Sequence, residues 1–290
     1  MNALALKIIA LTAMIIDHMG AAFPETFGLW FRVVGRLAFP IYVFLIAEGF
    51  FHTKNPAKFL LRLFVFAIIS EPFFDIAIKG AAIADINFLA DTNIFYTLFL
   101  GGAAIVAYQL LRDKISFLAF APLALFMWLA HALTSDYGAY GVLFIFAMYW
   151  ISKKAAAPLP GGTKGGDWGT PPAEQACAST GHPASKCSLR EGSAPLSDGN
   201  CVNNFLADKK LIFFALLCLW PYVDFVRFAH EFGFGVVPIQ FWLMIPATLL
   251  TVLPVALYNG KRGPGGPFVK WFFYASYPVH LAVLAGLLLW

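Results

Sequence analysis

Long apolar runs separated by short polar segments dominate the chain. A helix needs roughly 20 apolar residues to cross the hydrocarbon core of a bilayer, and most of these runs approach that length. The pattern predicts nine transmembrane helices, over residues 4–23, 29–51, 59–78, 94–111, 115–133, 140–151, 211–228, 236–257 and 268–290. The sixth run is short, and we expect its helix to begin near Asp136. The predicted fold is an all-α polytopic integral membrane helix bundle.

Residues 155–208 interrupt this pattern. The segment is rich in Gly, Pro, Ser and Ala and lacks apolar periodicity, so burial cannot offset the entropy lost on ordering it. We interpret it as a disordered cytoplasmic insert between helices 1–6 (residues 1–154) and helices 7–9 (residues 209–290). The two sets of helices are expected to form one membrane domain.

Three of the four cysteines lie in this insert. Cys177, Cys187 and Cys201 are accompanied by His182, so a zinc site is conceivable. Their spacings are wider than the tight pairs that zinc sites favour, and cytosolic thiols stay reduced. We therefore predict free thiols and no metal, and we expect Cys218 to pack inside an apolar helix.

Composition supports a membrane protein. The 290 residues are 60% hydrophobic and 12% charged, whereas soluble domains carry roughly 25% charged residues. The net charge of +4 is too small to indicate nucleic acid binding. The first apolar run contains Asp17 and His18 and has no small-residue cleavage site, so we interpret it as a retained helix rather than a signal peptide.

Basic residues concentrate in every second loop, which is typical of cytoplasmic loops. The even-numbered loops carry Lys54, Lys58 and Arg62, then Arg112 and Lys114, then Lys153 and Lys154, and finally Lys261, Arg262 and Lys270. This distribution predicts a cytoplasmic N-terminus and an external C-terminus. The location that we expect is a bacterial inner membrane.

Ionisable residues inside the predicted spans are the candidates for function, because such groups are costly at membrane depth. Asp17, His18, Arg32 and Arg36 lie near the outer ends of the first two helices, and four such groups at one depth exceed what packing needs. Further polar residues at membrane depth are interpreted as structural supports or packing pairs: Glu48, Glu71, Asp75, Asn93, Thr97 and Asp224.

Helix geometry suggests separate roles within the first group. Asp17 and His18 are consecutive, so their side chains point about 100° apart and cannot form a simple dyad with each other. We expect Asp17 to pair with Arg32 or Arg36, leaving His18 free to face a cavity as a general base. His280 follows Pro278 and is either a second base or a core histidine that donates to a carbonyl.

An ordered series of short motifs carries a resemblance. The series comprises Leu6 to Ala10, Met14 to Gly20, Gly35 to Ile41, Glu48-Gly49, His52-Thr53, Arg62-Leu63, Ser70 to Pro72, Asn93, Thr97-Leu98, Tyr258 to Gly263 and Tyr277 to Leu281. In this order they resemble the TraX family, over nearly the whole chain except the insert. The family's named activity is N-terminal acetylation of conjugative pilin. The chain is also similar to multi-helix acyltransferases such as the lysosomal heparan N-acetyltransferase.

The resemblance implies that acetyl-CoA is drawn from the cytoplasm and that a pilin N-terminus or a glycan accepts the acetyl group outside. Lys261, Arg262 and Asn259 lie in a Gly-rich loop suited to phosphates, although such basic residues also serve as positive-inside anchors. Arg32 and Arg36 are further candidates for binding the cofactor. His18, with Asp17 and His280, is the catalytic candidate, either deprotonating the acceptor or becoming acetylated itself.

Two other classes of protein fit parts of the pattern. A proton-coupled transporter also buries Asp, Glu, Arg and His, but it more often contains an internal repeat, and none is visible. A non-enzymatic component of a conjugation or secretion assembly needs no outer histidine cluster and no CoA. The identity of the acceptor, the length of the acyl group and the oligomeric state do not follow from the sequence.

Overall fold

The computed structural model describes residues 1–112, 115, 118–155, 209–219, 222 and 239–290. Within these ranges the chain forms helices and no strand. The helices are α1 (Ala3–Ala22), α2 (Pro24–Gly35), α3 (Ala38–His52), α4 (Pro56–Lys79), α5 (Ile94–Arg112), α6 (Ala121–Ala132), α7 (Gly138–Ala155), α8 (Lys209–Leu219), α9 (Ile239–Leu249), α10 (Val252–Ala256) and α11 (Pro267–Leu289). A 3₁₀ turn at Ile83–Asp85 lies between α4 and α5. The all-α prediction is confirmed.

Four helical segments are long and apolar enough to cross a membrane. They are α1, the α2–α3 pair, α5 and α11, and shorter apolar helices lie at Ala121–Ala132, Gly138–Ser152 and Trp242–Ala256. On α11, Val279, Val283 and Leu287 are each more than half exposed, as expected for side chains that face lipid. The chain is a multi-pass membrane protein. The predicted number of nine spans extends into residues outside the described ranges and stays a prediction.

Two predicted spans are interrupted, each four residues before a proline. The span predicted over 29–51 breaks at Arg36 and Leu37, and the span predicted over 236–257 breaks at Leu250 and Thr251. Pro40 and Pro254 lack an N–H donor, and a proline ring crowds the carbonyl four residues earlier, which lies here at each break. Each of these two apolar segments is therefore built from two helices rather than one.

Other boundaries also differ from the prediction. Among the described residues of the fifth run, predicted over 115–133, the α-helix covers Ala121–Ala132, since Pro122 favours the first turn of a helix. The sixth helix begins at Gly138, close to the expected start at Asp136. The ninth matches its predicted run to within one residue at each end. Cys218 is buried beside Thr251, so its predicted packing role is confirmed.

The helices pack around α1, whose neighbours are α2, α3, α4 and α11. α5 packs between α4, α6 and α7, and α3 also contacts α7. α1 starts beside the connection between α10 and α11, where the Ala3 amide donates to the Lys261 carbonyl at 2.8 Å. We call this the Met1 end of the bundle. The opposite end, where α1 and α4 finish and α5 and α7 begin, is the His18 end.

Candidate functional site

Asp17 is clamped by two guanidinium groups at the His18 end. Its Oδ2 lies 2.6 Å from Arg32 and its Oδ1 lies 2.9 Å from Arg36. The Arg36 Nε also donates to the Arg32 carbonyl at 3.2 Å. The expected pairing of Asp17 is confirmed, with both arginines rather than one. One carboxylate thus meets two cations.

Gly35 makes this arrangement possible. The last residue of α2 lies directly against the Asp17 side chain, and a Cβ atom at this position would overlap the carboxylate. Arg36 lies in the break between α2 and α3, and its side chain lies next to Asp17. The local sequence Gly-Arg thus provides both the space and the cation.

His18 is not free as expected from the sequence, because it pairs with His280 on α11. It is only 7% exposed, and its ring stacks on that of His280 with the ring centroids 4.9 Å apart. The His18 Nδ1 lies 2.6 Å from the His280 Nε2. The ring of Tyr277 meets both imidazoles edge-on. The sequence could not predict this pairing, because nothing local fixes the register of α1 against α11.

The Ser276 carbonyl determines the tautomers of His18 and His280. The His280 Nδ1 lies 2.8 Å from the Ser276 carbonyl oxygen, which only accepts, so Nδ1 must carry the proton. In neutral His280 the Nε2 is then the acceptor, and the His18 Nδ1 must donate to it. The unprotonated nitrogen of neutral His18 is therefore Nε2. His280 thus fits one of the two roles predicted for it, that of a histidine that donates to a carbonyl.

Glu71 and Asn93 join α4 to the start of α5 at the same end. The backbone N–H and the side-chain amide of Asn93 both donate to the Glu71 Oε2, at 3.1 and 2.6 Å. The amide also donates to the Ala67 carbonyl at 2.8 Å. Asp75 forms an ion pair with Lys79 and accepts from the Asn87 amide.

Thr97 and Asp136 connect α5 to the segment before α7. The Thr97 hydroxyl donates to the Asp136 carbonyl and lies 3.2 Å from the Ser135 hydroxyl. Burial raises the pKa of Asp136 to about 6, while nearby Arg36 opposes the increase. From the sequence, Asp136 was predicted only to mark the start of a helix. An acidic residue in a loop beside arginine-bearing helices was the available signal.

Glu48 and the predicted cofactor loop lie together at the Met1 end. The Glu48 Oε1 is 3.0 Å from His52 and accepts from the Tyr258 hydroxyl at 3.2 Å. Arg262 donates to the His52 carbonyl, and the Lys261 amide donates to the Asn259 side chain. These loop residues are mostly exposed. The five predicted cofactor residues therefore form two groups, since Arg32 and Arg36 lie with Asp17, roughly 20 Å away at 1.5 Å of rise per residue along α1.

Most of the residues considered for a zinc site lie outside the described ranges. Cys177, Cys187, Cys201 and His182 all lie there, as does Asp224. Within the described part of the chain, no three His, Cys, Asp or Glu side chains are grouped so that they could hold a metal ion.

The profile of the TraX protein family matches residues 3–160, more than half of the chain. The chain belongs to the TraX family. Among curated relatives, the probable fimbrial assembly protein FimC, serogroup H1, of Dichelobacter nodosus is 36% identical over 166 residues. That match covers 53% of this chain and 65% of the relative, less than two thirds of its length. No solved structure matches the chain.

The TraX match divides the site. Asp17, His18, Arg32 and Arg36 fall within the matched residues, whereas His280 lies beyond them. The loop at 257–263 is likewise outside the match. The part of the site on α1 to α3 thus belongs to the TraX region, and α11 completes it from outside that region.

Proposed function

We propose that this TraX protein is a membrane acyltransferase that moves an acetyl group from acetyl-CoA to an amine of an acceptor, with the His18 Nε2 as general base. The observation that carries the proposal is the His18–His280 pair beside the ion pairs of Asp17 with Arg32 and Arg36. A buried imidazole whose free nitrogen is defined by its neighbours is suited to proton transfer. The family's link with pilin, and the relative named as a fimbrial assembly protein, favour a pilin N-terminus as the acceptor.

The chemistry that the residues support is a single displacement. The His18 Nε2 accepts a proton from the acceptor N–H as the new N–C bond forms. The C–S bond of the thioester breaks, and the proton passes to the departing thiolate. His18 interacts electrostatically with Arg32 and Arg36, whose guanidinium groups are suited to the oxyanion that develops at the thioester carbonyl.

The loop at the Met1 end is the proposed entry for the donor. Lys261, Arg262 and Asn259 present cationic side chains and backbone donors to phosphates. His18 lies at the far end of α1, so the donor's arm would have to extend along the bundle to reach it. If the loop is cytoplasmic, as the distribution of basic residues predicts, the acetyl group crosses towards the external side in an inner membrane.

Transfer of radiolabelled acetyl from acetyl-CoA to a peptide amine, by the purified full chain in detergent, tests this function. We also expect acetyl-CoA to raise the melting temperature, whereas ATP at the same concentration does not. A radiolabelled protein without labelled peptide would favour acetylation of His18 itself. Absence of both transfer and stabilisation would favour a non-enzymatic role in fimbrial assembly.

A further inference from the structure

A buried negative charge near the end of α4 has no cation of its own. The Glu71 and Asp75 carboxylates lie one turn apart and are 0% and 1% exposed. Lys79 is the one cation within 4 Å of either carboxylate among the described residues: it pairs with Asp75 and lies 3.9 Å from the Glu71 Oε1. Two carboxylates against one ammonium leave one negative charge. A charge at this depth is expensive unless something compensates it.

Buried acceptors around Glu71 lack hydrogen-bond partners. Glu71 Oε2 receives both bonds from Asn93, but Oε1 receives none. Within the described ranges the Tyr96 hydroxyl is also buried without a partner. Tyr96 interacts electrostatically with the Glu71 and Asp75 carboxylates, so its hydroxyl shares their surroundings. Unsatisfied groups of this kind are rare in native proteins and need an explanation.

This group of acceptors adjoins the histidine pair. Tyr277 interacts electrostatically with Glu71, and its ring lies edge-on to His18 with the ring centroids 5.6 Å apart. The same ring packs on Phe95 at the start of α5. A group held at Glu71 is therefore separated from the imidazoles by one aromatic side chain.

The missing partner has a defined chemistry. A carboxylate oxygen and a hydroxyl can both accept, and a primary ammonium supplies three N–H donors and one positive charge. Water would satisfy the hydrogen bonds but not the charge. The connection at residues 80–93 contains Asp85 and Asp91 and no Lys or Arg. An acidic approach of this kind raises the local concentration of a cation.

We propose that Glu71, with the hydroxyl of Tyr96, forms a subsite that binds the ammonium group of the acceptor before it is acetylated. The subsite deepens the proposed function and rests on it, because it assigns the acceptor to amines rather than hydroxyls. Glu71 binds the cationic form and then accepts one proton from it, and the neutral amine moves on to His18. The position of Asn93 holds the carboxylate in place for this purpose.

The test measures binding without acetyl-CoA, so that it does not depend on catalysis. The probe is a short Ala/Ser peptide with a fluorescent label at its C-terminus and either a free or an acetylated N-terminus. The purified full chain is expected to bind the free amine more tightly. Glu71→Gln should weaken that binding about 10–100-fold, the usual loss for a hydrogen bond to a charged group. Glu25→Gln, an exposed carboxylate on α2, is the matched control and should bind as the wild type does.

Tyr96→Phe provides a second variant, because it removes one acceptor and keeps the ring. It should weaken binding of the free amine several-fold and leave binding of the acetylated peptide unchanged. Equal binding of both peptides by the wild type would overturn the subsite, as would unchanged binding by Glu71→Gln, since Glu71 would then hold a proton or face only water. Selective amine binding without any acetyl transfer would retain the subsite and overturn the acyltransferase function instead.

Discussion

The His18 Nδ1 lies 2.6 Å from the His280 Nε2, and the two residues are 262 positions apart in the chain. The contact joins α1 to α11 and sets the direction in which each imidazole donates. His280 thereby positions His18, because a change of tautomer in either ring would place two protons or two lone pairs between them. The first prediction follows from this order of donors.

Replacing His18 by Gln should reduce acetyl transfer by about 10²–10⁴-fold, the usual contribution of a general base. Helix content and stabilisation by acetyl-CoA should survive, because the site of donor phosphates lies at the other end of α1. His280→Gln should lower the rate less, since an amide can still accept from His18. Transfer rates and circular dichroism of the purified variants measure both effects.

His131→Gln is the matched control for these variants. His131 is an exposed histidine in the last turn of α6 and should tolerate the change. Near-normal transfer by His18→Gln together with loss of transfer by His280→Gln would assign the base to α11.

Replacing Arg36 by Ala should destabilise the protein, because it leaves the Asp17 Oδ1 without its ion pair in a site that is 14% exposed. Breaking a buried pair from one side costs roughly 3–5 kcal/mol, and Arg32, which still pairs with Asp17, should reduce that loss. The double variant Asp17→Asn, Arg36→Ala should recover part of the stability. Thermal unfolding in detergent measures the series, with exposed Lys58→Ala as the control. Additive losses in the double variant would contradict the coupling of the two residues.

Gly35→Ala should disrupt the ion pairs of Asp17 with Arg32 and Arg36 without changing any charge. The added methyl group would occupy the position of the Asp17 carboxylate. We expect a lower melting temperature and slower transfer. Gly286→Ala is the control, since nothing lies within 4 Å of a Cβ at that helical position. There the substitution should stabilise by about 0.4–1 kcal/mol. Equal effects at both positions would show that the close approach of Asp17 to Gly35 has no consequence for stability.

Asp136 should make stability depend on pH. Its pKa is about 6 in the folded protein, whereas the ordinary pKa of an aspartate side chain is 3.8. Between these values the folded state binds more protons, so the contribution of Asp136 to stability falls as the pH rises from about 4 to about 6. Asp136→Asn should therefore match the wild type near pH 4 and melt at a higher temperature at pH 7. Melting curves that differ by a constant amount across this range would refute the raised pKa.

The orientation of the chain can be tested with cysteine labelling. A variant that retains only Cys187 should resist an impermeant maleimide in intact cells and react after permeabilisation, if the insert is cytoplasmic. Leu89→Cys in a cysteine-free background is the control, because Leu89 is 73% exposed and lies on the connection at the opposite end. Rapid labelling of Cys187 from outside would reverse the orientation and the direction of transfer.

The sequence predicted the helices better than their interruptions. Apolar runs locate helices because burial in lipid needs a minimum length of apolar side chains, and α11 was predicted to within one residue at each end. Prolines were harder to interpret. Pro40 and Pro254 lie four residues after a break, whereas Pro72 and Pro278 lie inside continuous helices. Tertiary packing decides whether a helix tolerates the missing hydrogen bond, and that packing cannot be read from the local sequence.

The site was predicted in part for a similar reason. The pairing of Asp17 with the arginines follows from two neighbouring helices, so spacing along the chain sufficed. The pairing of His18 with His280 requires the relative rotation of α1 and α11, which no local pattern specifies. Tyr277 appeared only as part of a motif, and Tyr96 was missed, because a tyrosine in an apolar helix looks like packing until its hydroxyl is found without a partner.

α1 is held at both its ends by the C-terminal part of the chain, through the Ala3 amide on the Lys261 carbonyl and through His18 on His280. During synthesis α1 enters the membrane long before α11 is translated. Asp17 can pair with Arg32 and Arg36 as soon as the next two helices follow, whereas His18 meets His280 only after α11 has been made. A chain that stops before α11 therefore leaves the His18 imidazole without its His280 partner at membrane depth, where an unpaired polar group is costly.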